Sequence, residues 1–128
     1  MLVYVRGAGD IATGIALRLH RVGCQVVMAD IAEPTCIRRT VAFSEAIRLG
    51  EARVEDVTAR LAADARVARA IAAAGDVAVV VDPDARMIGA LAPDAVVDAI
   101  LAKRNLGTSM DMAPVVVGVG PGFTAGID

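Results

Sequence analysis

The sequence predicts an α/β fold of Rossmann type, an open, mostly parallel sheet of about five strands with flanking helices. Three observations carry this expectation. Strand-like and helix-like segments alternate along the chain, the pattern of a sheet with crossover helices. The strands read as continuous aliphatic runs, as in Val77-Ala78-Val79-Val80-Val81, which suits a parallel sheet covered on both faces. The first strand runs directly into Gly7-Ala8-Gly9-Asp10-Ile11-Ala12, and a helical pattern starts inside that turn.

The first strand is expected over Leu2 to Arg6 and the first helix over Ile11 to Val22, with Ile11, Ala12, Ile15, Leu19 and Val22 forming the stripe that meets the sheet. Gly23 ends the helix, and Gln25 to Asp30 supplies a second strand tipped by a carboxylate. Residues 34 to 49 read as an irregular helix that begins near Pro34 and stops at Gly50, and a short β excursion fits Ala52 to Leu61. Ala63 to Ala74 reads as a helix whose inward stripe is Ala63, Val67, Ala70, Ile71 and Ala74, with Arg66 and Arg69 on a solvated face. Strands follow at Val77 to Val81, Ala95 to Ile100 and Val115 to Val119. Between the first two of these, Asp84 to Leu91 reads as a short helix with Asp82 as N-cap and Pro83 at its first position.

Composition narrows the class. A chain of 128 residues fits one domain, 1–128, and 56% hydrophobic residues with only 2% aromatic ones imply an aliphatic core. Lys plus Arg number 13 against 15 Asp plus Glu, for a net charge of −2, and no long basic run occurs, which disfavours nucleic acid as a partner. Cys24 and Cys36 form no C-x-x-C pair and no zinc-spaced cluster with the single histidine, His20, which falls opposite the apolar stripe and reads as a surface bystander. Leu2 to Val5 lead straight into the glycine turn with no signal-peptide pattern ahead of them, and the apolar runs are strand-sized, so the expectation is a cytoplasmic protein without membrane spans.

The turn carries the clearest chemistry. In G-x-G-x-x-A the first glycine, Gly7, permits the tight bend, Gly9 lets a pyrophosphate approach the backbone, and the small Ala12 lets helix and strand pack closely. Helix N–H groups without intrahelical partners then face the anion. Asp30 stands where a carboxylate accepts hydrogen bonds from a ribose diol and repels a 2′-phosphate, which favours NAD over NADP. Asp10 adds a negative charge beside the phosphate position and reads as an N-cap or first-turn residue of the helix. Further along, the donor-rich stretch Lys103, Arg104, Asn105, Thr108 and Ser109 suits binding of a phosphate or carboxylate, or a solvated connection. The glycines of Gly118 to Gly126, Gly120 and Gly122 among them, suit an anion-binding nest or a plain turn. In a parallel sheet these segments share one rim with the Asp82 loop. Lys103, Asp98 and Asp111 are the candidates for proton transfer; no metal motif or nucleophile–base pair accompanies them.

Several runs resemble the YqeB family: Arg6-Gly7-Ala8-Gly9-Asp10-Ile11-Ala12-Thr13-Gly14; Glu33-Pro34 followed by Ile37 to Ala46; Asp98 to Thr108, with its Lys-Arg-Asn-Leu-Gly-Thr; Asp111-Met112-Ala113-Pro114; and Gly118 to Gly126. The resemblance implies an accessory protein of the selenium-dependent molybdenum hydroxylase system, acting in the making or insertion of the molybdenum cofactor, with a hydroxylase or its cofactor-synthesis proteins as partners. It also implies that 1–128 is the N-terminal part of a longer family chain.

The leading expectation is therefore a nucleotide-binding maturation factor whose ligand is NAD or another adenine or cytosine dinucleotide, such as the nucleotide half of a molybdopterin dinucleotide. An NAD-dependent oxidoreductase and a non-catalytic regulatory or scaffold module are the alternatives. Because the last strand is apolar on both alternating faces, either a homo-oligomer or a longer chain is expected to cover it.

Overall fold

The computed structural model describes residues 1–31, 42–100, 108 and 111–119. Its elements run β1 (Leu2–Arg6), α1 (Asp10–Arg21), β2 (Gln25–Asp30), α2 (Glu45–Leu49), β3 (Glu51–Val54), β4 (Val57–Leu61), α3 (Ala65–Ala73), β5 (Val77–Val81), α4 (Ile88–Leu91), β6 (Ala95–Asp98) and β7 (Val115–Gly118). They build a seven-stranded sheet in the order β3-β4-β5-β2-β1-β6-β7. Every neighbouring pair is parallel except the β3–β4 hairpin. The five expected strands make the contiguous β5-β2-β1-β6-β7 run, with β7 at the edge of the sheet. The β excursion is the hairpin that raises the count to seven.

Parallel strands need cover on both faces, and alternation along each strand supplies apolar residues to two separate cores. Val3, Val5, Val26, Met28, Val77 and Val79 face α1 and the Phe43–Ala46 region. Leu2, Tyr4, Val27, Ala29, Ala78 and Val80 face α3 and Leu91.

The helix faces differ from the expected stripes. In α1 the buried residues are Ala12, Thr13, Ala16 and Leu17. Ile15 and Leu19 pack only in part, while Ile11 and Val22 are exposed. Small residues on the inner face let the helix axis come close to the sheet, and the larger side chains flank that contact instead of filling it. The same holds in α3, which buries Ala68 and Ala72 and leaves Val67 and Ile71 partly covered. Arg66 and Arg69 are exposed as expected, and the Arg69 guanidinium also donates to the Leu91 carbonyl, tying α3 to α4.

Asp82 does not cap a helix running from Asp84. Ala85 adopts φ +57°, which breaks helical geometry between Pro83 and Met87, so α4 begins only at Ile88. Of the segment from Pro34 to Leu49, residues 32–41 lie outside the described part. The rest forms α2, which ends at Gly50 with φ +85° in the left-handed C-cap geometry that glycine favours.

Helix α3 has a side-chain N-cap, Asp64, whose Oδ1 accepts the Val67 N–H at 2.9 Å. Because α3 rests on small side chains, this cap carries a sizeable share of its stability. Asp64→Ala is expected to lower unfolding stability by about 1 kcal/mol, read as a shift of the urea midpoint with an unchanged slope.

Candidate functional site

All inner strands run parallel, so the turns after β1, β2, β5 and β6 leave from one rim of the sheet. Backbone hydrogen bonds lock the strand ends together there. Gly7 N–H donates to the Ala29 carbonyl at 2.6 Å, Asp82 N–H to Asp30 at 3.1 Å and Ala99 N–H to Arg6 at 2.8 Å.

Gly7 adopts φ +103°, and a Cβ placed on it would stand 3.0 Å from the Ala99 carbonyl oxygen. Its conformation and its neighbour both require glycine. Gly9 is different. Its backbone (φ −70°, ψ −171°) is open to any residue, and a Cβ there would meet nothing within 4 Å. Nothing in the described fold demands a glycine at position 9. Immediately after it, α1 begins, presenting first-turn N–H groups that no preceding carbonyl can satisfy.

Two carboxylates already engage this turn. Asp30 accepts the Ala8 N–H at 3.0 Å through one oxygen and the Ile31 N–H at 2.8 Å through the other. Each oxygen keeps a lone pair for a further donor such as a ribose hydroxyl. Asp10 accepts the Ile11 N–H at 3.0 Å, which places its charge at the favourable end of the α1 dipole. Ala12 is buried against the sheet. From behind, Thr13 Oγ1 accepts the Phe43 N–H at 2.9 Å, and the Ala8 carbonyl accepts the Ser44 N–H at 2.9 Å, so the segment before α2 braces the turn.

On the opposite face of the sheet a polar cluster is buried beneath the rim. Arg6 lies beside Asp98 in the β1–β6 register, with Nη1 3.8 Å from Asp98 Oδ2. It also donates to Thr108 Oγ1 at 2.7 Å and to the Pro83 carbonyl at 2.9 Å. Thr108 passes a 2.5 Å hydrogen bond on to Asp98, whose other oxygen accepts the Ile100 N–H at 3.1 Å. Beside this group the Tyr4 hydroxyl donates to Asp82 at 2.5 Å, and Asp82 accepts the Arg86 and Met87 N–H groups at 2.8 and 2.9 Å. Burial, reinforced by the Asp82 hydrogen bond and charge, pushes the Tyr4 phenol well above its ordinary range.

Of the residues singled out from sequence, Gly7, Gly9, Ala12 and Asp30 meet at the first turn. Asp98 and Thr108 come together, but as members of the buried cluster. Asp111 is exposed near the start of β7. Lys103, Arg104, Asn105, Ser109, Gly120, Gly122 and Cys36 lie outside the described residues. His20 is tied by Nε2 to the Gly75 carbonyl at 2.7 Å, and Cys24 packs in part against the core. Among the described residues, no group of three or more His, Cys, Asp or Glu side chains is arranged to hold a metal, and no helix is long and apolar enough to cross a membrane. An open apolar groove along α3, lined by Val67, Ala70 and Ile71, lies at the amino end of β5 and so away from the turn.

Sequence reasoning missed Tyr4, Arg6 and Asp82 as one unit. Their signal was a polar residue at the end of an otherwise aliphatic strand. An arginine ending β1 can be neutralised only by a neighbouring strand end, and Asp98 ends the adjacent strand.

The chain is 54% identical over 127 residues, 99% of its length, to the uncharacterized protein YqeB of Escherichia coli (strain K12). It spans about a quarter of that relative, 24%. No protein-family model and no solved structure matches the chain.

Tyr4 is the single tyrosine and there is no tryptophan, so phenolate absorbance reports this one residue. An unfolded tyrosine ionises near pH 10.0, whereas the folded Tyr4 stays neutral there. The stability contributed by this group is therefore complete below that pH and is lost as pH rises beyond it. Phenolate absorbance is expected to appear only together with loss of circular dichroism. Reversible ionisation near pH 10 with the fold intact would contradict the burial of Tyr4 against Asp82.

Proposed function

We propose that the turn at Gly7–Ala12 binds a dinucleotide, NAD or a related adenine or cytosine dinucleotide, with the pyrophosphate over Gly9 and a ribose diol on Asp30. The observation that carries this reading is the freedom at Gly9. The described residues impose glycine at position 7 but not at position 9, and a ligand pressed against the backbone supplies the missing reason. The start of α1 offers the anion the N–H groups and dipole that such a ligand uses. A bound phosphate competes with the Asp10 carboxylate for the Ile11 N–H, so the site favours the singly charged diesters of a dinucleotide over a dianionic terminal phosphate.

The resemblance to the YqeB family supports placing this activity in the maturation of a selenium-dependent molybdenum hydroxylase. In that role the domain would hold NAD or the nucleotide half of a molybdopterin dinucleotide for a partner protein. Asp98 has both carboxylate oxygens engaged beneath the rim, an arrangement that favours a binding role for this part of the chain over proton transfer by that residue.

The two glycines separate fold from binding. Gly9→Ser introduces a good helix N-cap where no described residue comes within 4 Å of its Cβ, so unfolding stability is expected to stay level or rise while calorimetric binding of NAD and of molybdopterin dinucleotides is lost. Gly7→Ala forces a side chain into a left-handed conformation against a backbone oxygen, and is expected to cost about 1–3 kcal/mol of stability. Unaltered ligand affinity in Gly9→Ser would remove the proposal.

Asp30 sets the second expectation. Wild type should bind NAD more tightly than NADP, and Asp30→Ala should narrow the gap by weakening NAD, since its carboxylate both accepts from the diol and repels a 2′-phosphate. The same substitution frees the Ala8 N–H, so stability is followed in parallel. A wild-type preference for NADP would overturn the assignment of Asp30.

A further inference from the structure

The two edges of the sheet are built differently. At one edge, β3 carries Glu51 and Arg53, and Glu51 pairs with Arg60 of β4 at 3.3 Å. Charge on a short strand is a usual defence against unwanted pairing. At the other edge, β7 reads Val115-Val116-Val117-Gly118 and carries no charge.

The register places Val115 beside Ala95 and Val117 beside Val97, on the face of the sheet that α1 covers further along. Ala95 is buried there, yet Val115 and Val117 are 47% and 45% exposed. Val116, on the other face, packs against the second core, as do Met112 and Ala113. Among the described residues, the substantial helix contacts all fall on β1 to β5, and none on β6 or β7. The backbone is oriented for extension as well. Val119 N–H donates to the Asp98 carbonyl, so by alternation the N–H and C=O groups of Val116 and Gly118 point away from β6.

We infer that β7 is an internal strand of a larger sheet, and that its outer edge and its Val115/Val117 face receive polypeptide corresponding to the three quarters of the Escherichia coli relative that this chain does not match. That polypeptide supplies an apolar strand alongside β7 and an apolar helix face over the two valines. The occupant follows from two observations taken together. The matched quarter is 54% identical over 99% of this chain, so the same domain exists within a much longer polypeptide. Among the described residues this strand is bare, and it lacks the charges that guard the opposite edge. A second copy of this chain fits less well, because pairing two four-residue strands gives a contact well below what a stable dimer requires.

The test compares Val117→Lys in two settings: this chain alone, and a chimera in which the chain replaces the matched quarter of the Escherichia coli relative. Alone, the side chain is half in solvent, and the substitution should move the melting temperature by less than about 2 °C. In the chimera the lysine meets an apolar layer, and a drop of at least about 5 °C is expected. Amide exchange at 115–118 gives a second readout that does not depend on the variant folding. Protection should be at least tenfold greater in the unsubstituted chimera than in the isolated chain. Equal effects of the substitution with equal protection would overturn the inference. So would a stable dimer of the isolated chain that Val117→Lys converts to monomer, because the occupant would then be a second copy.

Discussion

The approach of Gly7 to the Ala99 carbonyl is the constraint from which the rest of the rim follows. β1 and β6 end side by side. At that point the backbone of one turn rests on the backbone of the other, and a single methyl group would separate them. Only a residue without a side chain, tolerant of φ +103°, closes the gap. Beneath it the paired ends Arg6 and Asp98 would bring two charges into a region that excludes water. The cost of desolvating them is offset by mutual attraction and by the Thr108, Pro83 and Ile100 hydrogen bonds. This buried set does not touch the proposed ligand position, but it holds the two strand ends whose turns form it.

The glycine turn therefore divides its tasks. Gly7 answers to the fold and Ala12 to helix–strand packing, while nothing among the described residues requires glycine at position 9. Asp30 spans both roles, since one carboxylate ties down the Ala8 N–H while retaining acceptor capacity toward the rim. A ligand held there meets a preformed turn and little reorganisation, which is how modest contacts yield useful affinity. The chain spans 24% of the Escherichia coli relative it matches; in the proposed reading this domain would present a nucleotide while the uncharged β7 side joins the remainder.

The sequence made the fold legible where one local signal dominated. Aliphatic runs located β1, β2, β5, β6 and β7 to within two residues, and the glycine turn identified the rim. It misled where the answer depended on how close two elements come. The large apolar residues of α1 outlined a stripe through Ile11 and Val22, whereas the sheet accepted Ala12, Ala16 and Leu17, because small side chains permit the closer approach. The Asp82-Pro83 pair has the composition of a helix start. Yet Tyr4, distant in sequence, claims the Asp82 carboxylate, and the left-handed Ala85 delays the helix to Ile88. Gly7, Gly9 and Asp30 were readable as neighbours because their spacing is local. The Tyr4–Asp82 and Arg6–Asp98–Thr108 sets were not, because Tyr4 and Arg6 reach partners 78 to 102 positions further along the chain.

The most direct test of nucleotide binding at this turn is an amide NMR titration of the chain with NAD. The account predicts that saturable shifts concentrate on Gly9, Asp10, Ile11, Ala12 and Ile31, with the Tyr4 and Asp98 amides scarcely moved. Shifts centred on the α3 groove at Val67 and Ile71, or no saturable shift with any dinucleotide tried, would contradict it.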